Sequence, residues 1–239
     1  VVPSGQIETY LNKKEVSPPI SVIPTGIKLN NDNISKKEIE TFKEKYKFKK
    51  DYKTLIFVGR IGREKNIYFL IDCLAKIIKK NPKTQLFIAG DGPEKKQLLN
   101  NAKRLNILEN VITPGYLDHK DVFIAYAASD IITFPSKTET QGLSLLEGLS
   151  ISKPAVCINS LGVKDILKGE VGGYLTEDCT DAFSEKVNLL LSDEKLLKEK
   201  SIEAKQRASE FSAEELAKKL ANVYLNTIKN HTTKTTPKK

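Results

Sequence analysis

The sequence predicts an α/β fold, a Rossmann-like doubly wound parallel sheet. Short β-rich apolar runs alternate with helical patterns along most of its 239 residues, which is the rhythm of β-α-β units. The runs are near-continuously apolar, as strands buried on both faces are. The segments between them carry helical periodicity, as crossovers between parallel strands do.

Taken in order, residues 1–19 read as the end of a preceding domain and a linker, with Ser17-Pro18-Pro19 marking the linker itself. Strands are expected at 20–23, 54–58, 85–89, 110–112, 130–134 and 155–158, where Ile, Val, Leu and Phe cluster. Between the second and third runs, Ile67, Leu70, Ile71, Leu74, Ile77 and Ile78 recur at helical spacing, and Asn81-Pro82 closes that segment. Stretches 192–207 and 212–229 read as two further helices. The domain is therefore expected over 20–228. Residues 229–239, rich in Thr and Lys, are expected to form a basic, disordered tail.

Composition narrows the partners. The 39 Lys and Arg against 30 Asp and Glu give a net charge of +9, which favours anionic partners such as nucleotides or an anionic membrane surface. Nucleic acid is not expected, because no aromatic-rich stacking segment or recognised motif accompanies the charge. Cys73, Cys157 and Cys179 are odd in number and widely spaced, so neither a disulfide framework nor a C-x-x-C metal site is indicated. A reducing, cytoplasmic setting is expected, with any membrane contact peripheral on the inner face, since no apolar run reaches the roughly 18 residues of a spanning helix. The chain has no methionine and starts at Val1, so it reads as a piece of a longer protein.

In doubly wound sheets ligands collect beyond the carboxyl ends of the strands, so those ends hold the candidate chemistry. After the run ending at Val58, the stretch Gly59-Arg60-Ile61-Gly62-Arg63-Glu64-Lys65-Asn66 offers a guanidinium and an ammonium that would clamp a diphosphate. The same stretch also reads as a basic turn with solvated side chains. After Ala89, Gly90-Asp91-Gly92-Pro93-Glu94 is a turn leading to a helix, in which Gly92 would admit a ligand to the backbone and Asp91 would either cap the helix or touch the ligand. After Phe134, Glu139 lies in a loop and a helix begins near Gly142. The amides of that helix start would bind phosphate, and Glu147 would accept ribose hydroxyls. A surface glutamate beside a helix start is the plainer alternative.

The ordered set of Ile23-Pro24-Thr25-Gly26-Ile27, Gly59-Arg60 with Glu64-Lys65-Asn66, Gly90-Asp91-Gly92-Pro93, Gly115-Tyr116-Leu117, and Pro135-Ser136 leading to Glu139 and Glu147 resembles the C-terminal, donor-binding domain of the retaining family 4 glycosyltransferases of GT-B type. The resemblance spans about residues 20–228. It implies that Arg60 and Lys65 hold the donor diphosphate as the leaving-group clamp and that Glu139 binds the donor sugar. It further implies that Glu147 binds the ribose, amides around Gly142, Leu143 and Ser144 the diphosphate, and Tyr116 and Leu117 the base. Gly59 and Gly92 complete the donor-binding set. No metal or other cofactor is implied, and no D-x-D motif occurs in the chain.

The Pro24–Ile27 and Glu139–Leu143 wording is similar to glucosyltransferases acting on diacylglycerol. UDP-glucose is thus the expected donor, and diacylglycerol or another glycolipid the expected acceptor. Family members also carry an N-terminal GT-B domain, with a histidine near the reacting sugar; His119 and His231 do not match it and read as surface residues. Other readings stay open. They are a transferase using UDP-N-acetylglucosamine, UDP-galactose or GDP-mannose in polysaccharide synthesis, a non-catalytic nucleotide-sugar-binding module, and a nucleotide-sugar isomerase of the same shape.

Overall fold

The computed structural model describes residues 1–29 and 34–234. One sheet contains β1 (Lys53–Val58), β2 (Thr84–Ala89), β3 (Val111–Gly115), β4 (Ile131–Phe134), β5 (Ala155–Ile158) and β6 (Gly173–Thr176). All neighbours are parallel, in the order β3-β2-β1-β4-β5-β6. Successive strands step outward from β1 on one side and from β4 on the other. The switch point therefore falls between β1 and β4, where Leu55 opposes Ile131 and Ile56 opposes Ile132, and the crevice for a ligand opens above that pair.

Side chains alternate between the two faces, and both faces are covered. Leu55 and Phe57 of β1, Leu86 and Ile88 of β2, and Val156 and Ile158 of β5 join one buried cluster. Ile56, Phe87, Cys157 and Phe134 join the other. The first cluster lies under α3 (Ile67–Lys80), α4 (Lys95–Arg104) and α8 (Thr180–Ser192); the second lies under α5 (His119–Ala127), α6 (Leu143–Ser150) and α9 (Glu194–Ser209). The stripe expected on α3 is the buried one, with Ile67, Leu70, Ile71, Leu74 and Ile77 all at 2% exposure or less. Each such side chain contributes about 1.5–3 kcal/mol over its exposed state. The helix ends at Asn81, whose amide donates to Ile77 O at 2.8 Å.

Three expectations are corrected. Residues 20–23 form no strand; Val22 makes only an isolated bridge to Val2, because Pro18, Pro19 and Pro24 lack the amide a ladder needs. The sixth strand is instead β6, whose short Gly-Tyr-Leu-Thr run sits behind a glycine pair and carries little apolar signal. Finally, α10 (Ala213–Lys234) continues to Lys234, past the point where the tail was expected to start, since the helix already nucleated by its packed first turns propagates cheaply. Residues 235–239 of that tail lie outside the described residues.

Residues 1–29 lie against the domain rather than apart from it. Helix α1 (Gly5–Lys13) is capped by Ser4, whose hydroxyl accepts the Ile7 amide at 3.3 Å. Ile27 and Ser212 are bridged, with Ile27 N donating to Phe211 O and Ala213 N to Ile27 O, both at 2.9 Å. A methyl on Gly26 would meet Ala213 N at 2.8 Å. The glycine of Pro24-Thr25-Gly26-Ile27 thus answers to packing on the start of α10.

Candidate functional site at the sheet's switch point

The loops leaving β1 and β2 are laced together. Gly59 N donates to Ala89 O at 3.0 Å, Ile61 N to Asp91 O at 2.9 Å and Glu94 N to Ile61 O at 3.2 Å. A side chain on Gly92 would meet the carbonyl carbon of Ile61 at 2.7 Å, so the close approach that Gly92 permits is made by the neighbouring loop. Asp91 does not cap α4, whose N-cap is Glu94. Its carboxylate accepts the Gly92 amide at 2.7 Å and pairs with Lys95 Nζ at 2.9 Å. The Lys95 ammonium and that amide hold it below the usual carboxylate range.

Lys65 closes a single 3-10 turn, Arg63–Lys65, and Asn66 then takes a left-handed conformation (φ 53°) to launch α3. The turn is fixed by Lys65 N donating to Gly62 O at 3.1 Å, and Arg63 pairs with Glu94 at 3.3 Å. Lys65 is thereby aimed across the switch point, where its Nζ meets Glu139 Oε2 at 2.7 Å. Both partners are shielded, with side-chain exposures of 28% and 18%. Arg60, two residues past β1, is exposed, and its guanidinium stays clear of the pairs that engage Arg63 and Lys65.

The carboxylate side of the crevice comes from the loop after β4. Burial alone would push the Glu139 carboxyl up, but the Lys65 ammonium and the amides of Gly142 and Thr140 outweigh it, so it lies below its ordinary value. Gly142 is the left-handed N-cap of α6 (φ 65°). Of the amides expected to bind phosphate, that of Gly142 lies near enough to the Glu139 carboxylate to help lower it. Leu143 is exposed, and the Ser144 carbonyl accepts the Tyr126 hydroxyl at 2.5 Å. Glu147, one turn further on, is half-buried; burial raises its carboxyl, opposed by the nearby His119.

Tyr116 stands 76% exposed after β3, whereas Leu117 packs against the core, leaving mainly its backbone to face a ligand. His119 is exposed and lies edge-on to Phe123 at 5.0 Å. The side chain of His231 lies outside the described residues. Among the described residues no group of three or more His, Cys, Asp or Glu is placed to hold a metal ion, and no helix is long and apolar enough to cross a membrane.

Gly162 and Ser160 have no sequence signal of their own, and Gln141, Ser136 and Asn66 sit within motifs that give them no role. Gly162 N donates to Glu139 O at 2.9 Å, and a methyl on Gly162 would collide with the Thr140–Gln141 peptide. Gln141 Nε2 donates to Thr25 O at 2.7 Å. Ser136 Oγ, Ser160 Oγ and Asn66 Nδ2 are buried without a protein partner, all at the carboxyl ends of β4, β5 and β1, the strands around the switch point.

Known proteins resemble the chain in both sequence and fold. Residues 38–207 match the family model described as glycosyl transferases group 1. The alpha-monoglucosyldiacylglycerol synthase of Streptococcus pneumoniae is 28% identical over 235 residues, covering 95% of this chain and 52% of that protein. The enzyme of the same name from Acholeplasma laidlawii is 28% identical over 159 residues, covering 65% and 40%. The chain therefore spans about half the length of these relatives. A glycosyltransferase from Rickettsia africae superposes with a TM-score of 0.86 at 20% identity, covering 95% of this chain and 63% of that one. The C-terminal domain of the group 1 protein LpcC from Francisella tularensis gives 0.67 at 21% identity, covering 77% of this chain and 97% of that domain. The fold is that of the C-terminal half of a GT-B glycosyltransferase, and the chain belongs to the group 1 glycosyl transferase family.

Proposed function

We propose that this chain is the donor-binding half of a retaining hexosyltransferase that takes glucose from UDP-glucose, without a metal, for a diacylglycerol or glycolipid acceptor. The observation that carries the reading is the meeting of Lys65 and Glu139, 2.7 Å apart, beyond the two strands that flank the switch point. Transfer breaks the bond between the anomeric carbon and the diphosphate and forms one from that carbon to the acceptor hydroxyl, whose proton passes to the departing diphosphate, where negative charge grows. Lys65 and exposed Arg60 supply preorganised positive charge there, the task a metal performs elsewhere. When the donor binds, Lys65 turns from Glu139 toward phosphate, and the freed carboxylate accepts the sugar hydroxyls. Gly142, Leu143 and Ser144 amides add donors to the diphosphate, Glu147 holds the ribose, and Tyr116 and Leu117 flank the base beside Gly59 and Gly92.

The donor and acceptor are drawn from likeness. Two relatives are named alpha-monoglucosyldiacylglycerol synthases, and HepE of Anabaena, similar in fold with a TM-score of 0.83, was solved in complex with UDP-glucose. A +9 chain also suits an anionic leaflet on the cytoplasmic side, to which we assign the acceptor. Isothermal titration with UDP, UDP-glucose, UDP-N-acetylglucosamine and GDP-mannose, each in the presence of EDTA, tests the reading. Tightest binding of UDP-glucose supports it; a preference for a guanosine ligand, or a requirement for added metal, refutes it.

A further inference from the structure

Helix α7 (Leu161–Lys164) touches two parts of the chain that are remote from each other in sequence. At its start, Gly162 N donates to Glu139 O at 2.9 Å, and its α-carbon lies against the Thr140–Gln141 peptide. At its end, the Asp165 carboxylate accepts the Gly5 amide at 3.0 Å. The helix is itself pinned from below, because Arg207 donates to the carbonyls of Asp165 and Ile166, both at 2.6 Å. A second tie bypasses α7, from Gln141 Nε2 to Thr25 O at 2.7 Å. Segment 1–27 and the Glu139 loop are thus joined at both sides of a cavity of about 370 Å³, lined by Pro3, Val22, Pro24 and Gln141 among others. The two polar ties span that space between segment and loop.

We propose that Asp165 and Gln141 are positioning residues through which the seating of segment 1–27 sets the Glu139 carboxylate, so that recognition of the donor sugar depends on how that segment is held. This rests on the proposed role of Glu139. Neither residue touches the donor. Both act on the loop that carries Glu139 and the Thr140 and Gly142 amides that help lower its carboxyl. Any displacement of segment 1–27 is transmitted to the sugar subsite and to the neighbouring Gly142 amide, while Arg60 and Lys65, carried on the loop after β1, keep their backbone positions.

The test compares wild type, Asp165→Ala, Asp165→Asn, Gln141→Ala and the double alanine variant by titration with UDP and UDP-glucose, and by hydrogen exchange of the 140–142 amides. The expected result is that each alanine variant weakens UDP-glucose roughly two- to tenfold, the range of one hydrogen bond, with UDP weakened clearly less than UDP-glucose and exchange at 140–142 accelerated. Asp165→Asn, which keeps an oxygen acceptor for Gly5, restores wild-type values. Arg207 keeps α7 anchored in every variant, so the unfolding midpoint is expected to move little. Unchanged UDP-glucose affinity in the double variant overturns the proposal, as does a parallel fall of UDP, UDP-glucose and the unfolding midpoint. If wild type does not distinguish UDP-glucose from UDP, the sugar role of Glu139 falls. The exchange data then decide the tie by themselves, acceleration upholding it and its absence overturning it.

Discussion

Replacing Lys65 by methionine removes one charge and keeps the side chain's length. Two separate losses follow from the geometry. In the free protein Glu139 loses its ammonium at 2.7 Å while remaining 18% exposed. Exposed pairs are worth about 0–1 kcal/mol and broken buried pairs cost about 3–5. This half-shielded one, with two backbone amides still holding the carboxylate, should cost about 1–2 kcal/mol. The pH dependence has a definite sign. The Glu139 carboxyl lies below its unfolded value, so its contribution is present above that value, near 4.5, and is lost as pH falls through the folded one. Urea unfolding should therefore show the variant less stable at pH 7 and the gap closing toward pH 3. In the bound state the missing charge-assisted bond to diphosphate should weaken UDP by about 1.5–3 kcal/mol, roughly ten- to 150-fold. A stability gap that does not change with pH, or UDP affinity within twofold of wild type, refutes the reasoning.

Glu147→Gln should raise stability at neutral pH while weakening UDP: burial lifts its folded carboxyl above the unfolded value, so the ionised form is a liability that grows as pH rises through the folded value. The gain expected in urea unfolding is about 0.5–2 kcal/mol, and it should vanish below pH 4. Arg60→Ala should leave stability within about 0.5 kcal/mol, because the side chain is exposed, yet weaken UDP by titration at low salt more than at high salt. Gly148→Ala should destabilise by about 1–3 kcal/mol in thermal unfolding, since the added methyl would meet Tyr126 Cε1 at 2.8 Å and crowd Ile132 as well.

The central sheet was legible because its signal is local and redundant. Each of β1, β2, β4 and β5 is built on a near-continuous apolar run, and the α3 stripe is spaced for a single buried face. Residues 20–23 look equally apolar but sit between prolines, and their backbone partner is Val2 rather than a strand of the sheet. β6 is hidden for the opposite reason, since a four-residue strand at the edge needs few apolar side chains. In the candidate site, Lys65 and Glu139 could be named as charged residues after strands, but not as partners, because 74 residues separate them and only the strand order brings them together. Gly92 shows the converse: its type was readable, while the surface it serves belongs to the Ile61 loop. Gly162 and Asp165 carry no motif, and Gln141 is legible only as part of one, since their task is to hold backbone in place.

The seat of segment 1–27 is built from residues made much later. Ile27 is held by Phe211 and Ala213, Gly26 lies on Ala213, and Gly5 rests on Asp165. During synthesis segment 1–27 therefore has nowhere to dock until α7 and the start of α10 have emerged and packed. Loop closure over nearly the whole chain costs little more than over half of it, so the delay is one of order rather than of energy. The sheet can assemble strand by strand while this segment waits in solvent, and its arrival, which also tethers the Glu139 loop, would be among the last events of folding.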